Sequence, residues 1–325
     1  MRKLSFAVTL AAVFACFAGA QAQNYPSRPI TIVAGFPAGG PTDTVSRIFA
    51  ERMKTSLGET VIVENAGGAS GTIAAAKVAR SDPDGYTISI GNWTANVGAP
   101  AMYPLQYDVL KDFEPVSLLT TSYLWIIGRP NLPANNLKEL VDWLKANPTK
   151  VSVATVGVGS AAHLCMVDFQ NKTHTTFQYV PYRGGAPALQ DVASGQVDLS
   201  CLETSQTLGL YRAGKVKVFA VASKQRWFAA PDVPTIDEGG VSGVYIPFWH
   251  GMWVPKGTPK PIVAKLDAAV VEAFADPAVQ KRFKELGHII PPRDQQNPDA
   301  LYAWHKAELD KWWPIIKAAG IKPTN

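Results

Sequence analysis

The chain has 325 residues, with 31 Lys and Arg against 26 Asp and Glu, three cysteines, and close to half its residues hydrophobic. That length suffices for two domains, each with a buried core. The mildly basic balance, with no cluster of Lys and Arg, excludes the electrostatic footprint of a nucleic-acid binder.

The first element is an export signal. Arg2 and Lys3 precede an apolar run from Leu4 to Ala18, and Ala20-Gln21-Ala22 supplies the small-x-small pattern, so cleavage after Ala22 is predicted. The run is shorter than a membrane span. Val13-Phe14-Ala15 is a poor lipobox ahead of Cys16. Removing residues 1–22 leaves 303 residues with 29 basic and 26 acidic side chains. The mature chain is expected to be soluble and periplasmic, with no membrane insertion after cleavage.

Short β-rich runs then alternate with helical segments, the pattern of parallel sheets with crossover helices. Strands are expected at 30–34, 60–64, 86–90, 116–127, 151–156, 177–180, 196–201, 216–222 and 244–254. Leu137, Leu140, Val141 and Leu144 keep the 3.6-residue period, with Asn136 as cap, Glu139 three residues on and Pro148 as the stop. Helices close the chain at Ile262–Phe274, Pro277–Leu286 and from Pro298 to about Ala319, with a kink expected at Pro314.

A strand, a glycine-rich turn and a helix start occur twice. Ile30–Ala34 leads into GFPAGGPTD (Gly35–Asp43), and Val151–Val156 into GVGSAAH (Gly157–His163). Each turn brings backbone N–H groups and the positive end of a helix to one place, which suits an anion. Two such cups in an exported protein point to a receptor for a small acid. The segments around 115–127 and 244–254 read as long strands outside any βαβ unit. As a pair of hinge strands they divide the chain into one lobe of 24–119 plus 249–325 and a second of 120–248.

Other chemistries fare worse. Gly157-Val-Gly159-Ser-Ala-Ala162 matches a dinucleotide fingerprint, but the acidic residue expected about 20 positions on is absent. There is no G-x-S-x-G elbow, no paired-histidine metal spacing, and no carboxylate pair set apart as acid and base. No enzyme activity, cofactor or metal is expected. Cys165 and Cys201 remain in an oxidising compartment without a Cys-x-x-Cys pattern; a disulfide or two free thiols are both open.

The sequence resembles the extracytoplasmic solute receptors of tripartite tricarboxylate transporters, the Bug family. The resemblance lies in YPSRPITIVAGFPAGGPTD (Tyr25–Asp43), VIVENAGGASG (Val61–Gly71), YDVLKDFEPVSLL (Tyr107–Leu119), GVGSAAHL (Gly157–Leu164), VPYRGGAPAL (Val180–Leu189) and WHGMWVPKGTP (Trp249–Pro259). These stretches run in order over essentially the whole mature chain. The resemblance implies an α/β, two-lobed periplasmic binding protein of the type II Venus-flytrap kind. Each lobe would be a mainly parallel sheet with flanking helices, joined by two hinge strands. It would close as a monomer on a small carboxylated ligand, a dicarboxylate or an aromatic acid, and present it to membrane transporter subunits.

Carried onto this chain, the resemblance places Phe36, Gly39, Gly40, Thr42 and Asp43 on one wall, and Gly159, Ser160 and His163 on the other, with Tyr182, Arg183 and Gly184 beside them. Ala38 in the first turn, Ser70, and Thr155 with Gly157 at the second turn complete the set. Arg183 has the fork geometry for a carboxylate, or forms an ordinary ion pair. Asp43 suits a helix cap better than direct contact with an anion, Ser160 reads first as a cap, and His163 is either a ligand donor or a packed ring. Asn92, Trp93 and Thr94 follow the strand ending at Ile90, at the edge where open α/β sheets bind ligands. Trp93 and Trp249 could sandwich a flat ring or pack in the core. Ala66 stands where the family often has a basic residue, and Trp249-His250 replaces Trp-Tyr, so ligand identity is not transferred. A ligand sensor presenting its closed form to a membrane kinase would use the same hinge and cleft.

Overall fold

The computed structural model describes residues 25–318. The expected signal segment 1–22, with Cys16, lies outside them, as do the last seven residues. Strand β1 (Ile30–Ala34) is flanked in parallel by β2 (Val61–Asn65) and β3 (Thr87–Asn92), with Ile32 opposite both Val63 and Ile88. The crossovers are α1 (Pro41–Leu57) and α2 (Thr72–Ala79). Apolar residues of β1 and β3 are buried against α1, α7 (Lys260–Ala275) and α8 (Pro277–Leu286), with Phe49, Phe274 and Phe283 in mutual ring contact.

Strand β4 (Phe113–Gly128) carries the chain across the molecule. From Phe113 to Tyr123 it runs antiparallel to β9 (Pro247–Pro255), which in turn pairs antiparallel with β3. From Leu124 onward it pairs instead with β7 (Leu199–Glu203) and β8 (Lys217–Val221). Beyond β7 lie β5 (Ser152–Thr155) and β6 (Gln178–Pro181), both parallel to their neighbours. The order is β2-β1-β3-β9-β4-β7-β5-β6, with β8 branching from β4. Register shifts at Pro115/Ser117, Leu118/Thr120 and Ile126/Ile127 interrupt the β4 ladder, and such bulges bend and twist a strand. The outcome is an α/β fold whose outer strands are parallel and whose connecting strands are antiparallel.

The end of the sheet formed by β5 to β8 carries α3 (Leu137–Ala146), α4 (Ala161–Thr173), α5 (Gly185–Ser194) and α6 (Thr204–Arg212). At the start of α3 the Asn136 side chain accepts from the Glu139 N–H at 2.9 Å, while Glu139 accepts from the Asn135 N–H at 2.8 Å. The last helix, α9 (Pro298–Ala318), buries Leu301, His305, Leu309, Trp312 and Ile316, one stripe at helical spacing, against β4 and the turn after β3. Strand β9 starts at Pro247 rather than 244. Gly243 lies in the left-handed region, and the Tyr245 hydroxyl is tied to the Asp237 carboxylate, which keeps that segment a loop. Cys165 on α4 and Cys201 on β7 are joined by a disulfide.

Candidate functional site

The turn from β1 into α1 is shaped by Asp43. Its Oδ2 accepts from the Gly39 N–H (2.9 Å) and Arg47 Nε (3.0 Å), and its Oδ1 accepts from Asn65 Nδ2 (3.0 Å) and pairs with Arg47 Nη2 (2.9 Å). Asn65 also donates to the Phe36 carbonyl. Burial pushes the Asp43 carboxyl up, but the hydrogen bonds from Arg47, Gly39 and Asn65 outweigh it and hold the group below the usual carboxylate range. Asp43 does not line the cavity; it staples the loop that does. Gly40 caps α1 in an extended conformation with no side-chain cap, and Pro41 follows, so the N-terminus of this helix opens toward the cavity.

Behind this turn is a buried polar relay. Asn92 Nδ2 donates to Thr42 Oγ1 (2.9 Å), Thr42 Oγ1 shares a hydrogen bond with His250 Nε2 (3.2 Å), and His250 Nδ1 shares one with Thr120 Oγ1 (3.2 Å). His250 is fully buried, and burial with the nearby His288 drives its basicity well below that of a free imidazole. The ring is therefore neutral with one N–H, and Thr42 Oγ1 is held between it and the Asn92 amide.

The cavity between the two halves is small, about 30 Å³, room for roughly one water molecule. Phe36, Pro37, Gly40, Thr42, Asn92 and Thr94 form the wall from the β1–β3 side. Val156, Ala162, Gly185, Leu202, Glu203 and Gln206 form the facing wall, with Leu124 and Phe248 of β4 and β9 between them. Helix α5 also begins without a side-chain cap, at Gly184. The cavity thus lies between two uncapped helix starts.

The halves touch directly. Ser70 Oγ donates to the Val158 carbonyl (3.2 Å) and the Ala161 N–H donates to Thr94 Oγ1 (3.1 Å). A Cβ on Gly184 would come within 2.5 Å of Pro37 Cδ. A dicarboxylate is far larger than one water, so its entry requires these walls to part.

Of the candidate residues, Phe36, Gly40, Thr42, Asn92 and Thr94 line the cavity. Ala38 and Gly39 are exposed beside it, and Ser70 and Gly184 sit in contacts between the halves. The second glycine turn is placed differently from the expectation of a facing anion wall. Gly159 N–H donates to His163 Nδ1 (3.2 Å), His163 N–H to Ser160 Oγ (3.1 Å) and Ala161 N–H to Thr94, so the donors of this helix start are largely used internally. Gly157, Gly159, Ser160 and His163 do not line the cavity, nor does Thr155. Burial lowers the His163 imidazole to about pKa 4, and its ring packs edge-on against Tyr179. Gly159 is pressed against Gly98 and Met102, which leaves no space there for the pyrophosphate that its dinucleotide-like pattern would serve.

Trp93 and Trp249 are fully buried. Trp93 Nε1 donates to Glu308 and its ring meets Trp312, while Trp249 packs on Trp253 and His305, so the pair forms no clamp on the cavity. Arg183 is exposed and Tyr182 donates to Asp191; neither lines the cavity. The sequence reading missed Glu203, Gln206 and Gly185 on the facing wall, and His250 behind Thr42. Glu203 ends an apolar strand just before a Thr-Ser helix start, the same strand-to-helix edge used to select Asn92. Among the described residues, no group of three or more His, Cys, Asp or Glu is arranged to hold a metal, and no helix is long and apolar enough to cross a membrane.

Comparison with known proteins places this geometry. The family described as "Tripartite tricarboxylate transporter family receptor" matches residues 45–321. A UPF0065 protein of Agrobacterium vitis, encoded in the TAR-I ttuE-ttuC' intergenic region, is 41% identical over 303 residues, covering 93% of this chain and 87% of its own. The solved periplasmic binding protein BugD is 43% identical with a TM-score of 0.89, covering 92% of this chain and all of its own. MatC from Rhodopseudomonas palustris, solved with bound malate, is 36% identical with a TM-score of 0.86, covering 90% of this chain and all of its own. The chain belongs to the tripartite tricarboxylate transporter receptors, the Bug family of periplasmic solute-binding proteins.

Proposed function

We propose that this protein captures a small carboxylate between its two lobes in the periplasm and delivers it to the membrane subunits of a tripartite tricarboxylate transporter. The observation that carries the reading is the pair of helix starts without side-chain caps, at Gly40 and Gly184, whose first helical residues Pro41 and Gly185 line opposite sides of the cavity. Each helix start contributes about 0.3–2 kcal/mol toward a nearby anion, and each hydrogen bond to a charged group about 1.5–3 kcal/mol. Micromolar binding needs about 8 kcal/mol net, within reach of this wall set after the cost of closure. MatC, with its bound malate, supports a dicarboxylate. The core positions of Trp93 and Trp249 favour an aliphatic acid over an aromatic one.

The lobes are 24–119 with 249–325, and 120–248, the hinge lying where β4 leaves β9 for β7. The expected export signal and the family's periplasmic members support a periplasmic location; we read the mature protein as a monomer that performs no chemistry on its ligand. A melt screen of the mature chain against mono-, di- and tricarboxylates, acidic amino acids and aromatic acids tests the ligand class. Binding to the folded state at a hundredfold excess over Kd raises stability by about 2.7 kcal/mol. Stabilisation confined to one acid class is expected; no stabilisation by any acid, in protein stripped of ligand by unfolding and refolding, contradicts the reading. Crosslinking of the loaded form in membranes tests delivery: capture of a transporter subunit is expected, and capture of a sensor kinase alone counts against it.

A further inference from the structure

The single ionisable side chain on the cavity wall is an acid. Glu203 lies at the end of β7, buried to 2% exposure. Its two oxygens have separate roles. Oε2 caps helix α6, accepting from the Ser205 N–H, the Ser205 hydroxyl and the Gln206 N–H. Oε1 is buried with no hydrogen-bond partner. Gln206, one turn into the same helix start, lines the same cavity, and its Oε1 is also buried without a partner.

Two orphaned acceptors on one wall are unusual, because buried polar atoms are nearly always paired. Both residues line the cavity, so a ligand held there lies beside them; His288, buried with both ring nitrogens unpaired, is close enough to feel the Glu203 charge but makes no hydrogen bond to it. A ligand offering only carboxylates and methylenes would leave both unpaired. One carrying a hydroxyl or an ammonium on its carbon chain would supply the missing hydrogen. The opposite wall, with the Gly40 helix start and the Thr42 hydroxyl, is left to the carboxylate.

Resting on the carboxylate-receptor reading, we propose that Glu203, with Gln206, determines ligand specificity by reading a hydrogen-bond donor on the ligand's carbon chain. The ligand class is then a hydroxy- or amino-substituted dicarboxylate rather than a plain one. Sites built to pair a donor discriminate strongly against the analogue that lacks it, because their own polar groups are left unpaired.

The test is calorimetric titration of the refolded, ligand-free mature chain with acids of matched length: succinate, malate and aspartate, then glutarate, 2-hydroxyglutarate and glutamate. A donor-bearing member is expected to bind at least tenfold more tightly than the unsubstituted acid of its length, and comparison of the hydroxyl with the ammonium arm shows which donor is read. In Glu203→Gln the cap is preserved while the free oxygen can become an amide donor. That preference should shrink at least tenfold, with the unsubstituted acid gaining. Equal or tighter binding of the unsubstituted acid by the unaltered protein overturns the proposal without any variant. So does an undiminished preference in a folded Glu203→Gln. Failure of every acid in the panel removes the carboxylate-receptor reading itself, and this proposal with it.

Discussion

Replacing Gly184 by Ala separates closure from folding. Gly184 is fully extended (φ 174°, ψ 177°), a conformation open to any residue, so the substitution introduces no backbone strain. The added methyl would meet Pro37 Cδ at 2.5 Å. Ordinary carbon contacts lie near 3.5–4 Å, so the walls must stand about 1 Å further apart at that point. The Ser70–Val158 and Ala161–Thr94 hydrogen bonds, at 3.2 and 3.1 Å, would then pass out of range. Each contributes about 0.5–1.5 kcal/mol. Closure therefore weakens by about 1–3 kcal/mol, which corresponds to a roughly 5- to 150-fold loss of ligand affinity. The open form keeps both cores, so the melting temperature without ligand should stay within about 1 °C of the parent. Calorimetric titration with the tightest acid of the screen gives the affinity, and X-ray scattering gives the compaction on binding. Unchanged affinity and compaction would refute the closed arrangement described here. A large fall in melting temperature would show that Gly184 serves folding rather than closure.

Three further outcomes follow from named contacts. Asp43→Ala leaves the Gly39 N–H and the Asn65 amide without their acceptor and should cost about 2–3 kcal/mol in chemical denaturation; a loss below 0.5 kcal/mol would show that the first turn does not depend on this carboxylate. Acidification should destabilise the fold. Unfolded imidazoles take up protons near pH 6.5, whereas burial holds His163 and His305 to about 4 in the folded state. The stability from these neutral rings is present above pH 6.5 and is lost as pH falls toward 4, by roughly 1.5–2 kcal/mol each between pH 7 and 5; denaturant midpoints that do not fall over that interval would contradict it. Removing the Cys165–Cys201 disulfide, which closes a 36-residue separation, should cost about 3–4 kcal/mol on loop-closure entropy. A Cys165→Ala, Cys201→Ala double variant with unchanged stability would count against that.

Local signals carried much of the fold. Ile30–Ala34 and Pro277–Leu286 have the boundaries expected from periodicity and proline punctuation, and the Asn136 cap is in place, because a few adjacent residues decide each of these. The long β4 is also readable as a run of apolar and β-branched residues without a helical period. The point where it exchanges partners is not, since that depends on pairing with β9, β7 and β8, more than 70 residues away.

The cavity lining was legible on the first wall and poorly so on the second. GFPAGGPTD marks the turn, and the family resemblance picks out Gly40 and Thr42 within it, which line the cavity. GVGSAAH looks equivalent, yet its donors are taken by Ser160, His163 and a residue of the other half, Thr94, a competition that no local pattern reveals. Trp93 and Trp249 stand near the right strand ends, but α9, which arrives last in the chain, covers them. Glu203 was hidden for the opposite reason: no glycine marks its turn, and its burial within the cavity wall depends on both halves.

The most direct test of the central claim is X-ray scattering of the refolded, ligand-free mature chain, titrated with the acids of the panel. The account predicts one-to-one saturable compaction by a dicarboxylate, as two lobes close over it. No compaction with any acid that calorimetry shows to bind would contradict capture between the lobes.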